Sequence, residues 1–247
     1  MSKTIAIFNQ KGGVAKTTTT INLGWALIEQ KQKVLMIDWD PQGHLSKAMQ
    51  IDEELIKSTM YDVLHGADIY KAILTDNEYF YFLPCDINLS AADDELKNKQ
   101  YTLQKLLEGI QADFDYILID CPPSLGSLSI NALCASDGVL VPMQTDYLAW
   151  CGFELLMSTF NKVKKFNPRL EILGILATMH TGTRHSKEML QVIQSTGKAF
   201  ESVISHSVKF KDCTVEGIPI IDYDKKLGKQ YLDLAKEVME RASKNNG

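Results

Sequence analysis

Short apolar runs alternate along this chain with longer segments whose apolar positions recur every three or four residues. The runs at 4–8, 33–37, 79–83, 116–119, 138–141 and 172–177 have the length of strands. Several are apolar at nearly every position, the pattern of a parallel strand covered on both faces. Helical spacing runs through 17–30, 102–110, 127–135, 150–165, 186–197 and 228–242. The alternation predicts an α/β fold: a single doubly wound, mostly parallel sheet with helices on both faces. No Pro/Gly/Ser-rich linker divides the chain, so one domain over residues 1–247 is expected. Few residues precede the first strand, so neither a signal peptide nor an N-terminal helix-turn-helix domain is expected.

The connections between these elements carry the chemistry. Lys11-Gly12-Gly13-Val14-Ala15-Lys16-Thr17-Thr18 joins the first strand to the first helix. Strand, glycine-rich turn and helix N-terminus in that order make a phosphate cradle. Backbone N–H groups surround the phosphates, Lys16 neutralises their charge, and the Thr17 hydroxyl reaches Mg²⁺. Asp38-Trp39-Asp40-Pro41-Gln42-Gly43 follows the second strand. Strand alternation places Asp38 and Asp40 on one side, where two carboxylates suit a Mg²⁺ shell and the positioning of water. Tyr116-Ile117-Leu118-Ile119-Asp120 ends in a third acid, a Walker B arrangement with Asp120 near the metal.

Charge modifies this picture. The net charge is −5, but residues 37–120 hold 6 Lys against 17 Asp or Glu, net −11. Residues 161–211 hold 9 Lys or Arg against 3 Glu, net +6, a candidate basic patch. Five scattered cysteines, none in a Cys-x-x-Cys pair, are expected to be reduced and cytosolic. The five histidines have no metal-ligand spacing.

With these motifs in view, the chain resembles the ParA-type (Soj-like) partition ATPases of the MinD/ParA deviant Walker A family. The extra lysine Lys11 and the run Asp40-Pro41-Gln42-Gly43 are the most telling pair. The segments 141–147 and 220–224 also match, and the resemblance covers about residues 3–240. It implies an ATPase using ATP and Mg²⁺. Lys11, Lys16 and Asp40 would be catalytic, with Asp40 orienting the attacking water. Gly12 to Thr18, with Thr178 and Ser205 toward the adenine, would bind nucleotide. Thr17, Asp38 and Asp120 would serve the metal. It further implies an ATP-sandwich homodimer in which Lys11 reaches the partner's phosphates. That dimer would bind DNA non-specifically and drive plasmid or chromosome partition with a ParB-like partner, in the cytoplasm on the nucleoid. Arg184 and Lys209, shared with Lys198 and Lys211, would contact DNA.

Two positions depart from the family pattern. Ala15 stands where the loop usually has Gly, and His44 where Asn is frequent. Other readings of the same chemistry are a ParA-like ATPase positioning a protein cargo and a MinD-like membrane ATPase, which needs a free amphipathic C-terminal helix. An electron-transfer ATPase like the nitrogenase iron protein would need cluster cysteines, for which Cys85 and Cys121 are the candidates. A nucleotide switch without hydrolysis is the reading that Ala15 raises.

Overall fold

The computed structural model describes residues 2–244. Its seven strands are β1 Lys3–Ile7, β2 Val34–Asp38, β3 Phe80–Leu83, β4 Tyr116–Asp120, β5 Gly138–Gln144, β6 Glu171–His180 and β7 Ala199–Ser205. They form one sheet in the order β3-β2-β4-β1-β5-β6-β7, and every neighbouring pair is parallel. The helices are α1 Lys16–Glu29, α2 His44–Ala48, α3 Met60–Leu64, α4 Ile69–Ala72, α5 Leu89–Glu95, α6 Thr102–Glu108 and α7 Ser127–Ala135. They continue with α8 Tyr147–Cys151, α9 Phe153–Val163, α10 Arg184–Ser195, α11 Lys209–Glu216, α12 Ile220–Tyr223 and α13 Lys225–Lys244.

Alternation along each strand separates two cores. Ala6 and Phe8 face a layer holding Leu103, Leu128 and Phe160, while Ile5 and Ile7 face Leu23, Leu27 and Leu234 of α1 and α13. The chain leaves β1 toward β2 on one side and later returns to β5 on the other. This reversal opens a crevice at the carboxyl ends of the central strands, where such sheets bind ligands. Register sharpens it: Ile7 pairs with Asp120, and Asp120 with Asp38, so β1, β4 and β2 end level.

Four elements differ in kind or extent from the sequence expectation. The seventh strand, β7, is an edge strand with Glu201 outward and partial exposure, so it lacks an apolar run. The helix expected over 150–165 is two helices, because Asp146 caps an earlier start and Gly152 separates α8 from α9. β5 and β6 extend beyond their predicted ends into polar residues. Arg241 pins the β6–β7 edge by donating to the carbonyls of Leu173, Lys198 and Ala199.

The C-terminal helix buries Tyr231, Leu234, Ala235, Val238 and Ala242 against the sheet. Its apolar stripe is therefore occupied by the core, as a docked helix requires. Asn245, Asn246 and Gly247 of the polar tail lie outside the described residues. Among the described residues no helix is long and apolar enough to cross a membrane.

Gly228 lets α13 pass close to α12: a Cβ there would meet the Ile221 Cα at 2.6 Å. Backbone cannot swing aside as a side chain can. Gly228→Ala is expected to destabilise the fold by about 1–3 kcal/mol, the usual cost of overpacking. A denaturant midpoint equal to wild type would contradict this close approach.

Candidate nucleotide site

Loop residues 8–15 leave β1 and feed the N-terminus of α1, whose first-turn N–H groups have no partner within the helix. The loop is held from outside. Asn9 donates its side-chain amide to the Pro142 carbonyl at 2.8 Å and accepts the Lys11 N–H at 3.0 Å. Gln144 donates to the Gly13 carbonyl at 3.1 Å. Thr178, fully buried, donates to the Val14 carbonyl at 3.2 Å. It braces the loop from below. Ser205 is gripped at the end of β7 by Gln230, which accepts its N–H and donates to its hydroxyl.

Ala15 adopts φ 68° and ψ 36° immediately before the helix. A left-handed backbone costs an L-residue about 1–2 kcal/mol, so the loop is strained where a glycine would not be. Val14 is buried, whereas Gly12 and Gly13 are exposed at the mouth.

Lys16 is buried, and its amine donates to the Lys11 carbonyl at 3.2 Å. Burial lowers its pKa, opposed by the nearby carboxylates of Asp120 and Asp40. Thr17 donates to Asp120 at 2.7 Å, and Thr20 donates to the other Asp120 oxygen at 3.2 Å. Burial pushes Asp120 up to about 8, and the nearby charges of Asp38 and Asp40 push the same way. Two carboxylates, Asp120 and Asp40, therefore act on Lys16, and Asp38 adds its charge at Asp120. Thr18, on the same turn of α1, accepts from Asn22 through its carbonyl.

Asp40 is buried at the turn after β2, where one of its oxygens accepts the Gln42 N–H at 3.0 Å. The turn closes by Gly43 N–H to the Asp40 carbonyl, with Gly43 at φ 61°. Asp38 pairs in register with Asp120 and adds to the charge around it. It accepts from both the N–H and the hydroxyl of Ser46 at 2.7 Å, and from the Asp40 N–H at 3.2 Å. Its contacts anchor the start of α2. β2 ends at Asp38, so strand alternation stops before it can align Asp40. His44 opens α2, and nothing in the structure gives it a task.

Lys11 is half-buried and folds back onto its own chain. Its amine lies 3.2 Å from Asp146 and 3.3 Å from the Gln144 amide oxygen. Both partners lie in the segment 141–147, and no motif reading assigns either of them a task.

The basic residues do not form one patch. Arg184 opens α10 just beyond the carboxyl end of β6, is 92% exposed, and pairs with Glu188 on its own helix. Lys209 and the exposed Lys211 follow the carboxyl end of β7, but Lys209 is ion-paired with Asp224. Lys198 precedes β7, so the strand's whole length, about 20 Å, separates it from the others. It leaves the shared patch expected of it. Cys85 and Cys121 are both buried, and burial pushes both thiols up, the opposite of what a cluster thiolate needs.

The family model described as AAA domain matches residues 2–172. The chain is 40% identical to the sporulation initiation inhibitor protein Soj of Bacillus subtilis, across 96% of this chain and 98% of Soj. It is also 40% identical to the chromosome partitioning protein ParA of Caulobacter vibrioides, across 97% of this chain and 94% of that one. The chain belongs to the ParA/Soj family of partition ATPases. Among solved structures it is similar to one described as cobyrinic acid a,c-diamide synthase from Mycobacterium smegmatis with bound ADP and magnesium. That similarity has a TM-score of 0.84 and 31% identity, over 98% of this chain and 96% of the other.

The pKa of Asp120 gives a pH prediction. A carboxyl raised above its unfolded value of 3.8 holds a proton in the fold that the unfolded chain has released. Its contribution is full at low pH and is lost as pH climbs from about 4 through about 8. In nucleotide-free, Mg²⁺-free protein, Asp120→Asn is expected to flatten this fall and to be more stable than wild type at pH 8, by about 1–3 kcal/mol. Urea unfolding at pH 5, 7 and 8 measures it; identical pH slopes in the two proteins would contradict it.

Proposed function

We propose that this chain is a Mg²⁺-dependent ATPase that closes into an ATP-sandwich homodimer, binds DNA without sequence preference and serves DNA partition with a ParB-like partner. The ATPase core of this reading rests on the family and on the cradle. The donor set fits a nucleotide-borne Mg²⁺: a hydroxyl and a carboxylate oxygen 2.7 Å apart, Thr17 and Asp120, with two more carboxylates raising the local negative charge. Among the described residues no cluster of three or more His, Cys, Asp or Glu could hold a metal alone. That suits an ion held mainly by phosphates and water. Bound there, Mg²⁺ would neutralise charge on the phosphates and relieve the crowding at Asp120.

The chain's own groups then divide the work. Loop and α1 N–H groups hold the phosphates, and Lys16 supplies positive charge along their flank. Asp40, fixed by the Gln42 N–H, keeps one oxygen to orient an attacking water. Asp38 holds that turn in place through Ser46.

The observation that carries the dimer is the posture of Lys11. Its amine is held by Asp146 and Gln144, while Lys16 occupies the cradle's lysine position. A second lysine at the mouth of the cradle, on an ion pair that is one-third exposed on each side, is placed to exchange Asp146 for a partner's phosphates. Arg184 and Lys211 stand near the same sheet edge, on α10 and α11, and dimerisation would double them.

Asp40→Ala is expected to keep ATP binding within a factor of a few and to lower turnover about 10²–10⁴-fold, the usual range for losing a proton-handling group. Calorimetry and a phosphate-release assay separate the two effects; wild-type turnover would remove Asp40 from the mechanism. Duplex binding by the ATP-bound protein is expected to fall steeply with salt through counterion release. Arg184→Glu should weaken it several-fold with ATP binding unchanged, measured by anisotropy on two unrelated duplexes. An ATP-bound dimer that ignores DNA at low salt would leave protein-cargo positioning as the better reading.

A further inference from the structure

Away from the nucleotide crevice, a cavity of about 480 Å³ opens on the α1 side of the sheet. Its floor is Ile21 and Trp25 of α1 with Phe80 of β3, and the Trp25 ring stacks on Phe80 at 5.2 Å. One wall is Met49, Ile51 and Leu55, after α2. The other is Cys213, Ile218 and Pro219, from α11 to α12. Gln50 bridges the walls by donating to the carbonyls of Thr214 and Val215. At the mouth, Leu55 and Ile218 are 60% and 39% exposed, so the apolar lining continues outward with no cover.

The charged residues that line this cavity have one sign. Asp52, Asp76 and Asp222 line it, all exposed, and no Lys, Arg or His does. Among the described residues none of the three is in an ion pair. Exposed Glu53, Glu54 and Glu78 stand next to them in sequence, within the segment of net charge −11. An anionic ligand is repelled here, and a neutral apolar one leaves the carboxylates unused. The complement is an apolar side chain for the floor with cations on either side for the rim.

We propose that this cavity is a docking site for a partner's basic amphipathic peptide segment, which seats apolar side chains on Trp25 and Phe80 and sets Lys or Arg against Asp52, Asp76 and Asp222. The long aliphatic stems of Lys and Arg would cover Leu55 and Ile218 while their charged ends reach the carboxylates. This assignment is independent of the ATPase reading.

The test uses the full chain without nucleotide and a labelled helical peptide of Leu and Lys, with Leu at i, i+3, i+4 and i+7. Its two controls replace every Lys by Glu, or every Leu by Ser. The Leu/Lys peptide is expected to bind at about micromolar concentration, the Leu/Glu peptide not at all, and the Ser/Lys peptide at least tenfold more weakly. Asp52→Lys with Asp76→Lys, and separately Ile218→Glu, should each weaken binding at least fivefold. ADP calorimetry on every variant confirms a folded chain and reports on the ATPase reading by itself. The proposal is overturned if the Leu/Lys peptide fails to bind at 0.5 mM, if Ser/Lys binds equally, or if folded cavity variants bind like wild type.

Discussion

Three parallel strands ending level are the constraint on which the rest of the site depends. Ladder pairing sets Ile7, Asp120 and Asp38 side by side, so the phosphate loop, the Walker B acid and the Asp40 turn begin at one height. Within that small space the fold puts one buried lysine against Asp120 and Asp40, with Asp38 beside Asp120. Without a ligand this is an unfavourable concentration of negative charge, and Asp120 answers by holding its proton to about pH 8. A metal–nucleotide complex brings both the cation that Asp120 lacks and the anion that Lys16 lacks. The same crowding that weakens the empty fold therefore favours the loaded one, a common trade between stability and function.

Lys11 is the loosely held member of a firmly braced loop. The loop around it is rigidly braced by Asn9, Gln144 and Thr178, yet its own amine is tied only to the half-exposed Asp146 and Gln144. An ion pair of that exposure contributes about 1 kcal/mol at most. A phosphate at hydrogen-bond distance outweighs it, so release of Lys11 carries little energetic cost. Asp146 also caps α8 by accepting the Ala149 N–H at 2.8 Å. Lys11 is thereby in contact with a helix whose Tyr147 and Leu148 are 59% and 73% exposed.

The sequence made the central strands and the phosphate loop legible because buried parallel strands are apolar at nearly every position and the loop needs a fixed order of glycine, lysine and threonine. It hid β7 because an edge strand has no such requirement. Period-two alternation holds only while the chain stays in the strand, and β2 stops at Asp38, so the turn that carries Asp40 is not legible from it. Lys11 and Asp146 lie 135 positions apart, and no local pattern announces their contact. The basic patch failed in part for the same reason: net charge over 161–211 counts Lys198 with Arg184, but a strand runs between them. Lys209 counted as a free cation until Asp224 was found beside it.

The central claim is that each phosphate site is completed by Lys11 of the other subunit. Mixing Lys11→Ala and Asp40→Ala proteins, each nearly inactive alone, tests it directly by phosphate release. In a mixed dimer, the site with its own Asp40 sits in the Lys11→Ala subunit and receives Lys11 from its partner. With random pairing, activity should recover to about a quarter of wild type, since half the dimers are mixed and each has one complete site. If Lys11 acts within its own chain, no mixed dimer contains a complete site, and the mixture will stay as inactive as its parents.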